Sequence, residues 1–325
     1  MSAEVACVVI GRNEGERLRK CLESVVGRVG HVVYVDSGST DGSVEMARSK
    51  GVAVVALDMR QPFTAARARN AGLAEALQAM PSCSHVQFVD GDCEVQPGWI
   101  ERADAFLTQN PEAAVACGRR RERHPEHSIY NWLCDMEWDV PVGPAKACGG
   151  DAMMRVAALR ATGGYRDDLI AGEEPELCVR LRAKGWQIHV LGAEMTLHDA
   201  AMTRFGQWWT RTLRSGYAFA EGAHLHGASP ERHGVRSLNS ALAWGLMLPL
   251  AIAAACWVAG PWALALLLLY PLQALRLFWG GRGTSRHRAL RAIFLVFGKL
   301  PEIQGALRYW RLRSLKRNAR LIEYK

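Results

Sequence analysis

The sequence predicts an α/β protein, with a doubly wound, mostly parallel sheet carrying helices on both faces, then an apolar helical hairpin and a basic tail. Three observations predict it. Through the first two-thirds of the chain, short β-branched runs alternate with segments of helical period. Polar residues gather where the runs end. From Leu238 to Trp279 the only charged residue is Arg276, after which charge returns almost entirely as Lys and Arg.

The elements follow in order. Val5–Ile10 is an apolar run ending at Gly11, and 14–26 has helical periodicity. A strand over 31–35 runs into the turn Asp36-Ser37-Gly38-Ser39-Thr40-Asp41-Gly42. A helix over 43–50, a strand over 52–57, a helix over Ala65–Ala79 and a strand over 85–89 come next. A strand over 113–117, an aromatic-rich helix over 129–138, a helix over 176–184 and a strand over 188–191 complete the pattern. In such sheets ligands sit at the carboxyl ends of the strands. Arg12, Asn13 and Glu14, then Asp36, then Asp90 and Asp92 fall at those ends. The expected division is a catalytic domain over 1–200, amphipathic connecting helices over 201–237, a hairpin over 238–280 and a basic interfacial tail over 281–325.

Composition narrows the class. With 325 residues, 49% of them hydrophobic, the chain can bury a large core, which excludes disordered, collagen-like and disulfide-stapled architectures. Nine cysteines with no Cys-x-x-Cys pair make a disulfide framework or a thiolate zinc site poor readings. Glu4, Arg12 and Glu14 bracket an apolar run too short for a signal peptide, so a reducing cytosolic compartment is expected. The net charge of +8 is uneven. Residues 276–325 hold 13 Lys and Arg against 2 acids, which leaves the rest slightly acidic.

That segment follows Leu238–Val258, 21 uncharged residues that as a helix would extend about 30 Å, enough for one span. Ala259-Gly260-Pro261 reads as a turn and Trp262–Leu275 as a shorter second arm. An apolar hairpin followed by positive charge is the footprint of attachment at an anionic cytoplasmic leaflet, with a re-entrant or interfacial hairpin as the alternative. Tyr309 and Trp310 are expected at headgroup depth. Nucleic-acid binding by the tail is disfavoured, because Leu, Ile, Tyr and Trp interleave with its charges at helical spacing.

Asp90-Gly91-Asp92, straight after an apolar strand, places two carboxylates around a glycine, a pattern suited to a hard divalent cation beside a diphosphate. Its sequence neighbours give it context. Gly11-Arg12-Asn13-Glu14, the Asp36–Gly42 turn and Ala68-Arg69-Asn70-Ala71-Gly72 precede it. Gly149-Gly150-Asp151, Gly163-Gly164-Tyr165, Gly172-Glu173-Glu174-Pro175-Glu176-Leu177 and Arg180-Leu181 follow. This ordered set, over about residues 4–200, resembles the family 2 glycosyltransferases, whose catalytic domain is the GT-A mixed sheet.

The resemblance implies a role for each position. Arg12, Asn13, Glu14, Asp36 and Ser37 would hold the base and ribose of a nucleotide sugar, with Arg69 near the diphosphate. Asp92 and Asp90 match the metal-binding Asp-x-Asp, for Mg²⁺ or Mn²⁺, with Asp92 nearer the cation. Gly149, Gly150 and Asp151 would approach the donor sugar. Glu173 and Glu174 align with the family's paired acids, Glu174 at the position of the catalytic base, although Glu stands here where Asp is commoner. Among the remaining residues, His198 is a candidate third metal ligand on a loop. Arg211, Arg214 and Trp209 are candidates for phosphate or acceptor contact. Trp208 is read as packing an amphipathic helix on the membrane, and Arg119–Arg123 as a solvated or membrane-facing charge run. The stretch Gln207–Arg211 lies near the Gln-x-x-Arg-Trp pattern of processive synthases but differs in spacing and order.

A sugar hydroxyl needs a carboxylate to accept its proton, and a departing diphosphate needs a cation and an arginine. One base and one metal site suit a single displacement with inversion. The expected protein is therefore a membrane-attached, metal-dependent glycosyltransferase with a nucleotide-sugar donor and a lipid-linked or otherwise membrane-held acceptor, in polysaccharide or surface-glycan assembly. The rivals are a nucleotidyltransferase, whose Gly-rich triphosphate loop is missing, and a non-catalytic membrane scaffold on the same fold.

Overall fold

The structure, a computed structural model, describes residues 2–315, so the last ten residues of the expected basic tail lie outside it. The described chain forms two compact units that divide after Thr203.

The first unit is built on a mixed sheet of nine strands, β1 Ser2–Gly11, β2 Val29–Asp36, β3 Ala53–Ala56, β4 His85–Asp90, β5 Cys93–Val95, β6 Ala113–Glu122, β7 Gly143–Ala145, β8 Ala152–Arg155 and β9 Gln187–His198. They run in the order β3-β2-β1-β4-β8-β6-β9-β5, with β7 on β9. The first four strands in that order are mutually parallel, β8 is antiparallel to both neighbours, and β6 and β9 are again parallel. The helices are α1 Glu16–Val25, α2 Ser43–Ser49, α3 Ala65–Ala79, α4 Trp99–Gln109, α5 Ile129–Glu137, α6 Val156–Thr162 and α7 Glu173–Ala183. The doubly wound expectation holds, and the antiparallel insertions make the sheet mixed. Strands β1 and β4 are buried along nearly their whole length, as expected of strands covered on both faces.

Register aligns the polar strand ends. Gly11 pairs with Asp36 and Ile10 with Asp90, so the ends of β1, β2 and β4 stand level. On the far side, His198 at the end of β9 pairs with Cys93 of β5 and with Glu122 at the end of β6. The sequence reading ended β6 at Cys117 and β9 at Leu191. Both strands continue, so His198 is a strand residue and not a loop residue.

Helix α3 shows how one motif serves packing and site together. Thr64 caps it, accepting the Arg67 N–H at 3.1 Å. Gly72 lets it lie on β1 and β2: a Cβ there would collide with Val8 Cγ1 and come within 2.8 Å of Val35 Cγ2, both side chains fully buried. Asn70 clamps the following loop, donating to the Tyr165 carbonyl at 2.8 Å and accepting the Tyr165 N–H at 2.9 Å.

The second unit is helical, with α8 Phe205–His226, α9 Val235–Leu242, α10 Leu248–Ala259, α11 Leu269–Trp279, α12 Ser285–Phe297 and α13 Lys299–Ser314. A π-turn over Ala243–Met247 joins α9 to α10 into one 25-residue helix, and a 3₁₀ segment over Pro261–Leu268 leads into α11. Both arms are long and apolar enough to cross a membrane by length and composition. Helices α8 and α13 cross closely at two glycines: a Cβ on Gly216 would strike the Glu302 carbonyl, and one on Gly305 the Leu213 carbonyl. Two expectations need correction here. Trp208 is buried inside this unit against Phe294 and Phe297, and Tyr309 is buried edge-on to Tyr217, so neither faces a headgroup layer. Long-range aromatic packing won over amphipathic exposure at both.

Gly72→Ala gains about 1 kcal/mol of helix propensity but forces a methyl into fully packed valines, an overpacking cost of ~1–3 kcal/mol or more. The clash should win. A lowered thermal unfolding midpoint is expected, and an unchanged or raised midpoint would refute the close contact.

Candidate functional site

Arg69 is the centre of the site. Its guanidinium, 2% exposed, reaches three carboxylates, with Asp90 Oδ1 at 2.9 Å, Glu174 Oε1 at 2.8 Å and Glu173 Oε1 at 3.1 Å. Helix α7 starts at Glu173, three residues earlier than its periodicity predicts, so both acids stand in its first turn, where the helix dipole favours negative charge. Gly150 lies over the Arg69–Asp90 pair. A Cβ there would stand 2.6 Å from the guanidinium and 2.8 Å from Asp90, which explains the glycine.

A second, mostly buried arginine, Arg120, joins the other side. Its Nη2 donates to Asp90 Oδ2 at 2.9 Å, and its Nε lies 3.0 Å from Asp151 Oδ2. Asp151 also accepts the Asp90 backbone N–H at 3.0 Å and the Thr196 hydroxyl at 2.6 Å. Trp138 covers the Arg120 guanidinium, 5.1 Å from centroid to carbon, and meets the His198 ring edge-on at 4.8 Å. The reading of Arg119–Arg123 as a solvated run therefore fails at Arg119 and Arg120, while Arg121 is exposed. Arg120 is part of the site, and Arg119 is mostly buried against Asp135 at 3.1 Å.

Asp92 and His198 form the third group. Both are buried, with His198 Nε2 3.3 Å from Asp92 Oδ2, and Cys93 lies close enough to complete a three-residue cluster able to hold a cation. Behind the ring, Glu122 Oε2 stands 3.5 Å from His198 Nδ1. Glu122 is fixed by three further bonds, from the Ala200 N–H, the His124 N–H and the Asn131 amide. A buried carboxylate behind an imidazole that faces another carboxylate is the arrangement that orients metal-binding histidines. A carboxylate oxygen and an imidazole nitrogen suit Mn²⁺, and Mg²⁺ would rely more on oxygen ligands. Asp90 is not in this cluster but belongs to a second group able to hold a cation, with Cys93 and Asp151, while its two oxygens also face Arg69 and Arg120.

At the opposite edge, the two turns at the ends of β1 and β2 are stitched together. Asn13, at a strained φ of 54°, accepts the Thr40 N–H at 2.7 Å and donates its own N–H to Ser39 Oγ at 2.9 Å. The Gly15 N–H donates to Asp41 at 3.0 Å. Asp36 holds its own turn, accepting the Tyr34 hydroxyl and the Gly38 and Ser39 N–H groups. Ser37 Oγ is buried and has no hydrogen-bond partner among the described residues. Arg12, Glu14 and Arg17 border the same turns, with Glu14 paired to Arg17 at 2.8 Å. Trp209, Arg211 and Arg214 lie on α8 in the second unit, where the Trp209 indole donates to Gln304 at 3.0 Å.

Charge balance sets the proton inventory. Burial would raise the Asp90 carboxyl, but Arg69 and Arg120 outweigh it and hold it well below the usual carboxylate range. Glu174 goes the other way. Burial, reinforced by the negative charge of Glu173, pushes it up to about 7 despite its ion pair, because Arg69 is shared with two other carboxylates. Burial and the nearby Arg120 cation lower His198, which keeps its imidazole neutral and fit to ligate.

Comparison with known proteins agrees with this geometry. Residues 6–134 match the family described as Glycosyl transferase family 2. That stretch, less than half of the chain, is similar to a family 2 glycosyltransferase domain. It is similar to the glycosyltransferase AglE of Haloferax volcanii, 32% identical over 32% of this chain and 35% of that one. It is also similar to a pre-mycofactocin glycosyltransferase of Mycobacterium tuberculosis, 26% identical over 75% of this chain and 52% of that one. The chain thus spans between about a third and a half of the length of these curated relatives. Its fold matches a mannosyltransferase from Pyrobaculum calidifontis solved with GDP-Man and Mn²⁺, at a TM-score of 0.62, 19% identity and coverage of 95% and 88%. The GT-A expectation is met.

Replacing Arg69 by Met should destabilise the protein by about 3–5 kcal/mol at pH 8, as for other broken buried pairs, and by less at pH 6, where the orphaned acids can take up protons. Thermal unfolding at the two pH values checks this, and an equal loss at both would contradict the shared-charge arrangement.

Proposed function

We propose that this chain is a metal-dependent, inverting glycosyltransferase that moves a sugar from a nucleoside diphosphate sugar to a membrane-held, lipid-linked acceptor at the cytoplasmic face, in polysaccharide or surface-glycan assembly. The observation that carries the reading is the single guanidinium of Arg69 shared by Asp90, Glu173 and Glu174, with Asp92 and His198 on the same sheet edge. The turns at Arg12–Glu14 and Asp36–Ser37 would receive the base and ribose, and the buried Ser37 hydroxyl offers an unused donor and acceptor there. Arg69 would face the diphosphate, and Gly149, Gly150 and Asp151 would line the donor sugar.

A divalent cation held by Asp92 and His198 would supply electrostatic stabilisation of the leaving diphosphate. Glu174 accepts the proton of the attacking hydroxyl. A carboxylate raised to about 7 is a far better proton acceptor than an ordinary one. Glu173 and Arg69 keep its position and set its charge. One base on one side of the sugar leads to inversion.

The second unit supports membrane attachment. The tip of its hairpin exposes Trp257 and Trp262, 92% and 87% accessible, and Trp279 ends the second arm, 70% accessible. Tryptophans at both ends of an apolar pair suit the two interfaces of a bilayer.

Donor binding measured by calorimetry with UDP-, GDP- and dTDP-sugars, with and without Mn²⁺, tests the reading. Metal-dependent binding of one donor is expected, and no binding to any of them in the presence of acceptor lipid would sink it. Glu174→Gln should lower turnover about 10²–10⁴-fold while donor affinity stays within a few-fold, because the base acts on the acceptor. The base works deprotonated, so wild-type kcat/KM should fall about tenfold per pH unit below about 7 and level off above it. A flat profile from pH 5.5 to 8 would remove Glu174 as base. Glu122→Gln should weaken Mn²⁺ binding by about 10–100-fold, read by paramagnetic resonance without donor. An unaltered Mn²⁺ affinity would detach Glu122 from the metal site.

A further inference from the structure

The apolar hairpin is not solid. A groove of about 580 Å³ runs beside it, lined entirely by apolar or aromatic side chains that include Pro249, Ile252, Leu267, Ala274, Ile293 and Phe297. That volume lies within the ~300–1,000 Å³ of typical small-molecule sites, yet it has none of the several convergent polar groups such sites carry. A second, smaller hollow of about 140 Å³ adjoins it and shares Val296. This one is the more polar of the two, with Ser240, Trp244, Gln273 and Lys299 beside Leu277, Leu295 and Val296.

The two hollows are ordered along the hairpin axis. On the first arm the polar hollow touches residues 240–244 and the apolar groove touches 249–252. On the second arm the smaller hollow touches Gln273 and Leu277, and the groove runs from Ala274 back to Leu267, overlapping it at one end. Polarity therefore falls from the open end of the hairpin toward its Gly260 turn, over ~18 Å from Ser240 to Ile252 at the helical rise. Two backbone features shape the junction. The π-turn widens the first arm at Ala243–Met247, and the Tyr270 hydroxyl, on the groove wall, donates to the Trp244 carbonyl at 2.8 Å. Gly245 lets that turn press on the Lys299 carbonyl, which brings the lysine to the polar end. Lys299 has three donors, and its ion pair with Glu302 at 2.7 Å engages one of them.

From this gradient we infer that the helical unit holds one molecule of an anionic membrane lipid, with a hydrocarbon chain in the groove and the headgroup at Ser240, Gln273 and Lys299. A hydrocarbon chain is the occupant that a slot this apolar, beside a helix long enough to span, can take. The anion is favoured by Lys299 and by the excess of Lys and Arg over acids from residue 276 onward. The inference deepens the membrane reading above and rests on it, but its test can fail separately.

The full chain in dodecyl maltoside micelles is irradiated with phosphatidic acid that carries a diazirine at the end of one chain, and crosslinked peptides are mapped. Label is expected on the peptides around Ile252 and Leu267. Ala274→Trp, or the smaller Ala274→Phe if the first misfolds, should reduce that label about tenfold. Lys299→Gln should bring labelling down to the level of a phosphatidylcholine probe. Flotation with phosphatidic acid vesicles reads membrane attachment independently and should survive the groove-filling change. Label spread evenly over both arms, or insensitive to both substitutions, would overturn the lipid seat while leaving attachment intact. A groove left unlabelled because two copies of the chain cover it, seen as a dimer by light scattering, would overturn it too. Groove label without flotation would keep the seat and discard the membrane reading.

Discussion

Everything in the catalytic unit depends on a buried shortage of positive charge. Arg69 and Arg120 face four carboxylates, Asp90, Asp151, Glu173 and Glu174. Two cations cannot neutralise four anions in a low-dielectric interior, where unpaired charge is expensive. The strain resolves unequally. Asp90, gripped by both guanidiniums, stays ionised; Glu174, sharing one guanidinium with two rivals, holds its proton until about neutral pH. A fold maximising stability would not bury this excess, so the arrangement is intelligible as one prepared for additional positive charge and for a proton that moves.

The sheet makes that concentration of charge possible. Parallel strands stop at one edge, and the registers of Ile10 with Asp90 and Gly11 with Asp36 bring their polar ends into line. The antiparallel insertion of β8 then turns Asp151 onto the same edge, and the lengthened β6 and β9 deliver Arg120, Glu122 and His198. Close approaches at Gly72 and Gly150 let the helix and the loop reach the sheet near enough for a short guanidinium network. A side chain at either place would move Arg69 and with it the proton of Glu174, so packing and acid–base chemistry are one constraint here.

The sequence disclosed the parts of this that are local. Asp90 and Asp92 at a strand end, the Ala-Arg-Asn-Ala-Gly stretch on a helix and two acids at a helix start all have short-range signatures, and each stands where its pattern implies. Arg120 and Glu122 were hidden for a physical reason. Strand β6 carries register shifts on both sides of Arg119, which break the alternation of inward and outward residues. Without a period of two, a run of arginines looks like a solvated face. His198 was masked similarly, at the end of a strand whose middle is Gly192-Ala193-Glu194. A triplet of Arg-Arg-Arg flanked by Glu122, directly continuing an apolar strand, was the available clue that one arginine turns inward.

The helical unit poses the opposite problem. Its α8–α13 pair satisfies itself, crossing at Gly216 and Gly305 and burying Trp208, Tyr217 and Tyr309. The hairpin does not. None of the second arm's most apolar stretch is buried within the protein, and only about a tenth of the first arm's is. Apolar burial is worth about 25 cal/mol per Å² only where water is excluded, so in water these arms gain almost nothing from the fold that carries them. Exposed apolar surface of this extent marks an interaction, and a bilayer meets both arms at once without any particular partner geometry. The π-turn, costly in water because it loosens a helix, then has a use. It lies where the more polar hollow meets the apolar groove, and in the seat inferred above a lipid chain beside it would cover part of the exposed arm.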